Sequence, residues 1–153
     1  KGGNLLLDLS ADPRFSHVRW RFMTNHPDPG LPRCSFHPGI VADTQEHRGL
    51  IETSDLLALP TSADCYSHAA IEASAAGLPS VITDVGGISD IVQTGVNGVL
   101  LEHPTRDAVA CALERYVGDP GRIAREGAAA RRLVEERNSV ETHMAVLRER
   151  VAG

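Results

Sequence analysis

Residues 55–92, DLLALPTSADCYSHAAIEASAAGLPSVITDVGGISDIV, decide the fold. They read in turn as strand, loop, helix, strand, turn and short helix, the rhythm of parallel α/β units. Leu56 to Leu59 is a short apolar run closed by Pro60, which predicts a strand buried on both faces and ended where proline removes a backbone donor. Thr61 to Tyr66 is a polar loop. Ser67 to Ala76 is mostly alanine, which favours helix and lets a backbone approach a sheet closely, and Gly77 and Pro79 stop it. The loops of successive parallel units gather at one edge of the sheet, and ligands bind there.

Two carboxylates fall near that edge. Glu72 lies on the helix, and Asp64, eight positions earlier, lies in the loop leading into it. Their spacing supports two readings. In one, His68 and Glu72 form a solvated stripe and Asp64 is an ordinary loop or capping residue. In the other, both carboxylates and the ring of helix N-terminal amides face one cleft and hold a ligand with hydroxyls and phosphate. Spacing alone does not choose between them.

The order of motifs goes further. Leu59-Pro60-Thr61-Ser62 is followed by Asp64, Glu72, Ala73-Ser74-Ala75-Ala76-Gly77-Leu78-Pro79 and Val85-Gly86-Gly87-Ile88-Ser89-Asp90-Ile91-Val92; Gly95 to Leu101 then supplies a turn and a strand. This series resembles the donor-binding domain of retaining glycosyltransferases with the GT-B fold, family four (glycosyl transferases group 1). That family joins a strand ending in Pro-Ser to an acid, seven residues, a glutamate, Ala-x-Ala-x-Gly-x-Pro and a Gly-Gly turn. The resemblance implies an α/β fold with a doubly wound parallel sheet, the Rossmann-like half of a GT-B enzyme. Residues 1–153 would then be the donor-binding domain, with the acceptor domain outside this sequence. It leaves the sugar unspecified.

Composition fits one soluble domain. The 153 residues suffice for a sizeable core, and a net charge of -5 argues against nucleic acid or an anionic membrane surface as the main partner. Cys34, Cys65 and Cys111 have neither disulfide-framework nor metal-ligand spacing, which favours the cytoplasm. No apolar run approaches the ~20 residues that span a bilayer. His37, His47 and His68 lack any HxxH or HExxH arrangement, so no metal is expected, and Gly86-Gly87 lacks the GxGxxG of a dinucleotide site.

The flanks follow from the same rules. Lys1-Gly2 followed by Asn4 to Leu9 resembles the family's Lys-Gly and its helix, without the strand and glycine-arginine turn that normally precede them. The first strand of a doubly wound sheet is central, so its absence is expected to leave a gap rather than a trimmed edge; the expectation is a longer parent enzyme. His17 to Met23 alternates as a strand, with Val18, Trp20 and Phe22 on the core side. Thr24 to Gly30 stands where the family often has a glycine-rich turn. Cys34 to His37 is a second short strand, and the loop at His37 and Gly39 would lie near the nucleotide base. Asp43 to Ser54 reads as a helix with Leu50 and Ile51 inward and Gln45, Glu46, His47 and Arg48 toward water. Thr105 caps a helix over Asp107 to Val117, a second runs from Arg122 to about Arg137 with a solvated Arg/Glu face, and Val140, Met144, Leu147 and Val151 make one apolar stripe.

The resemblance also assigns roles. Glu72 would accept hydrogen bonds from the two ribose hydroxyls of a UDP-, GDP- or ADP-sugar, a task suited to a group with several acceptor sites and no donor. Asp64, where glutamate is usual, would be the catalytic carboxylate, touching the transferred sugar's hydroxyls or helping to stabilise charge at its anomeric carbon. Tyr66, Ser67 and His68 would hold the diphosphate through main-chain amides. Lys1 would neutralise the leaving group. No cofactor is implied beyond the donor, and no residue reads as a nucleophile or general base. The acceptor, a carbohydrate, lipid or small molecule, would be held by an N-terminal domain in the same or a partner chain. Two other readings stay open: a non-catalytic nucleotide-sugar-binding or scaffolding module, and another GT-B enzyme such as a nucleotide-sugar 2-epimerase.

Overall fold

The computed structural model describes residues 2–138. Lys1 and the stripe from Val140 to Val151 lie outside them. Five parallel strands form two sheets: β1 (Trp20–Met23) pairs with β2 (Cys34–His37), and β3 (Leu57–Leu59), β4 (Ser80–Thr83) and β5 (Gly98–Leu101) form the second in that order. Helices α1 (Gly3–Ser10), α2 (Gln45–Glu52), α3 (His68–Ala75), α4 (Arg106–Glu114) and α5 (Pro120–Asn138) connect and cover them. Among the described residues no helix is long and apolar enough to cross a membrane.

Strand β4 is buried along its whole length, and its alternation separates two cores. Val81 joins Val99 and Leu101 of β5 with Trp20 and Phe22 of β1, packed with Leu6 and Leu9 of α1 and Val109 and Leu113 of α4. Ile82 points the other way, to Ala70 of α3 and to Ile88, Ile91 and Val92. Helices therefore cover both faces, as in a doubly wound sheet. Trp20 is core, stacked on Phe22 at 6.5 Å between ring centroids and edge-on to Phe15 at 6.1 Å.

A seam separates the two sheets. The strand order of a doubly wound fold, 3-2-1-4-5-6, puts its first strand between the second and the fourth. In this chain those neighbours are β1 and β3, and between them runs an open groove of about 460 Å³ lined by residues 19–23 and 54–58 together with α2, α3 and α4. The gap expected from the sequence is therefore seen as a groove. It also corrects one expectation: Leu57 to Leu59 is half-buried, not buried on both faces, because β3 is an edge strand on the seam.

Boundaries shift for local reasons. The first strand begins at Trp20 rather than His17, because the Pro13–Phe15 turn and the bend after it occupy the preceding residues. Helix α2 starts after Thr44, whose hydroxyl accepts from the His47 amide. Helix α4 stops at Glu114, and α5 begins at Pro120, because Asp119 accepts the Arg122 amide at 2.8 Å and Pro120 takes the first helical position, where a missing N–H costs nothing. The Arg/Glu face of α5 is solvated at Arg131–Glu135 and Arg132–Glu136. Its first part is not. Glu126 is buried, accepting from the Tyr116 hydroxyl at 2.5 Å and from Arg122 at 2.8 Å, and so ties α5 to the end of α4.

Candidate functional site

The loop between β3 and α3 is shaped by its own hydroxyls. Thr61, almost fully buried, donates to the Ala63 carbonyl at 2.9 Å and accepts the Ala63 amide at 3.3 Å, turning the chain directly after Pro60. Asp64 then accepts the Cys65 amide on Oδ1 at 2.9 Å. Ser67 is buried and caps α3, its Oγ accepting from the Ala70 amide at 3.4 Å. At the far end Gly77 and Leu78 donate back to Ser74 and Ala73 at 2.9 Å, closing the helix in the way the glycine predicts.

The Gly86-Gly87 turn holds this loop from the other side. The Gly87 amide donates to the Cys65 carbonyl at 2.9 Å, and the Tyr66 ring lies against Gly87. Gly86 has φ of +60°, and a Cβ there would stand 2.5 Å from the Cys65 oxygen and 2.6 Å from the Asp64 oxygen. Only glycine fits, on both backbone and space. The sequence singled out this turn for its family pattern; its physical task is to seat the Asp64–Tyr66 loop at the C-terminal edge of β3 and β4.

Each site residue expected from the sequence can now be placed. Asp64 is half-buried in the loop, Tyr66 and His68 are exposed, and Ser67 is buried at the helix start. The first amides of α3 open toward this loop, since the first turn of a helix has no intrahelical acceptors for them. Lys1 lies outside the described residues; its neighbour Gly2 abuts Pro60 at the end of β3. Glu72, in the second turn of α3, lines the seam groove with its side chain 35% exposed. His37 bonds Ser35 at 3.0 Å, and the Gly39 amide donates to Asn25 at 2.8 Å, which ties the loop after β2 to the Thr24–Gly30 segment.

His47 departs from expectation. Its side chain is 12% exposed, not turned to water, and its Nε2 stands 3.7 Å from Glu72 Oε2, because α2 lies beside α3. The helical spacing of α2 could not reveal this, since the partner is on another element. Thr61 was likewise unremarkable in sequence, being one hydroxyl in a polar loop.

The profile of the family "Glycosyl transferases group 1" matches residues 21–119, more than half of the chain. The chain belongs to that family. Within this glycosyltransferase family it is 38% identical over 82 residues to D-inositol 3-phosphate glycosyltransferase of Rhodococcus jostii, a match covering 54% of this chain and 18% of that one. The fold matches that of Alr3699/HepE of Anabaena in complex with UDP, with a TM-score of 0.69, 25% identity, and coverage of 78% of this chain and 32% of that one. The same protein in complex with UDP-glucose matches at a TM-score of 0.68 and 23% identity, covering 79% and 32%. The chain thus spans about a fifth of the Rhodococcus relative's length and a third of the Anabaena protein's. These likenesses, with the parallel sheets covered on both faces, identify the fold as the Rossmann-like half of a GT-B glycosyltransferase.

Proposed function

We propose that residues 1–153 form the donor-binding half of a retaining glycosyltransferase and that the donor is a UDP-sugar. The observation that carries the reading is the loop seated on Gly86-Gly87: it holds Asp64 at the end of β3 and leads through Ser67 into the first amides of α3, the helix that carries Glu72 in its next turn. A nucleoside diphosphate sugar needs those three kinds of group in that order. Glu72 accepts from the ribose hydroxyls, the helix N-terminus receives the diphosphate, and Asp64 meets the sugar. The Anabaena protein, similar in fold and solved with UDP, supports uridine as the base.

The transfer itself is proposed to follow a front-face course with retention. The acceptor oxygen attacks the anomeric carbon from the side the diphosphate leaves, and a leaving-group phosphate oxygen takes the acceptor's proton. That course needs no protein nucleophile. Lys1 and the helix amides stabilise the departing charge, and Asp64 stabilises positive charge at the anomeric carbon. The acceptor is assigned to a second, N-terminal domain, in the same or a partner chain, and the enzyme to the cytoplasm.

Two measurements test this. Titration of the chain with UDP, GDP and ADP is expected to show binding of UDP ahead of the other two; equal affinity for all three would remove the base assignment. Incubation of the chain with labelled UDP-glucose and simple sugar acceptors is expected to yield no transfer, because half of a cleft positions nothing. Transfer by the chain alone would contradict the division of labour.

A further inference from the structure

We infer that His47 is a positioning residue for Glu72, and through it for the ribose of the donor. The inference rests on the donor-site reading above and adds a residue that neither the sequence motifs nor the sheet edge assigned. His47 sits in the first turn of α2, its amide donating to the Thr44 hydroxyl at 3.2 Å, so its backbone is fixed by the cap. Its imidazole is the one side chain of that turn withdrawn from water, while Gln45, Glu46 and Arg48 are exposed. The withdrawn ring brings Nε2 to 3.7 Å from Glu72 Oε2, longer than a hydrogen bond and near enough to pair with the carboxylate when the imidazole carries a proton.

The surroundings leave this task to His47. Both residues line the seam groove and also the shallow depression between α2, α3 and α5, where Asp43, Arg48, Glu52 and Arg131 are the other charged groups. Among the described residues no arginine or lysine comes within 4.0 Å of the Glu72 carboxylate. On the groove side Arg21 is turned to the end of α2, where it donates to the Thr53 carbonyl and hydroxyl at 2.7 and 2.6 Å. The histidine therefore meets one carboxylate oxygen. The other oxygen keeps its lone pairs for the ribose, and a side chain already held loses less freedom when the ligand arrives.

The test is a set of calorimetric titrations on the 153-residue chain with UDP and with 2′,3′-dideoxy-UDP, which lacks the ribose hydroxyls. His47→Ala is expected to weaken UDP about three- to fivefold, the scale of a partly exposed ion pair, and to leave dideoxy-UDP unchanged. His47→Lys, which supplies a cation beside Glu72, is expected to restore most of the loss and shows that the site has folded. In a Glu72→Ala background His47→Ala is expected to add nothing, because partners in one interaction are not additive. Equal weakening of both ligands, or losses that sum in the double variant, would overturn the inference and leave the donor site standing. Failure of the unmodified chain to bind UDP would overturn the donor-site reading, and this inference with it.

Discussion

Replacing Gly86 by alanine should separate the fold from the site. The residue has φ of +60°, where an L side chain costs about 1–2 kcal/mol. Its Cβ would also stand 2.5 and 2.6 Å from two carbonyl oxygens of the Asp64–Cys65 backbone, so the loop must move and the bond from Gly87 to Cys65 is put at risk, a further loss of about 1 kcal/mol. The expected destabilisation is about 2–3 kcal/mol by urea denaturation. UDP affinity should fall by at least about tenfold, because the displaced loop carries Asp64 and leads into the helix amides. Gly95→Ala is the control: its φ is +80° but nothing lies within 4 Å of the added carbon, so only the backbone term of about 1–2 kcal/mol applies and UDP binding is unchanged. If Gly86→Ala is no less stable than Gly95→Ala and binds UDP normally, the turn does not seat the loop and the reasoning fails.

Two further substitutions probe the frame. Ser67→Ala removes the cap of α3 and should cost about 1 kcal/mol in denaturation, while the main-chain amides survive and UDP affinity stays within about threefold; a larger loss of affinity would mean that the hydroxyl itself meets the diphosphate. Tyr116→Phe deletes the donor to buried Glu126 and should cost about 1–3 kcal/mol without touching nucleotide binding. Burial, with the bond to Glu126 second, raises the Tyr116 pKa above that of a free tyrosine. A raised value in the folded state means that this contribution is complete below the unfolded value of about 10 and is lost as the pH rises beyond it. Denaturation midpoints should therefore fall above pH 10 more steeply for the unmodified chain than for Tyr116→Phe; parallel curves would show that the pair is not linked to folding.

Much of this was legible in the sequence because it depends on local rules. The Thr105 cap, the Gly77 stop and the Trp20/Phe22 alternation are each set by residues within one or two turns of each other, and each is seen in the structure; the cap of α3 is Ser67 rather than Asp64, the capping candidate of the sequence. The central gap also followed, because topology fixes where a first strand belongs. What the sequence hid depends on contacts between elements. Leu57 to Leu59 has the composition of a buried strand, but the seam beside it leaves it half-buried. Glu126 reads as one more charge on an alternating helix until α4 brings Tyr116 to it. His47 reads as solvent-facing until α3 brings Glu72 within 3.7 Å. In each case the deciding neighbour lies on another element, about which the periodicity of one element carries no information.

In the proposed function Glu72 holds the ribose of a UDP-sugar beside a diphosphate site at the start of α3. Its most direct test is calorimetric titration of the chain and of Glu72→Ala with UDP, side by side. The unmodified chain is expected to bind UDP and the variant to lose at least about tenfold in affinity, the scale of hydrogen bonds to a charged group. Equal UDP affinity in the two proteins would contradict it.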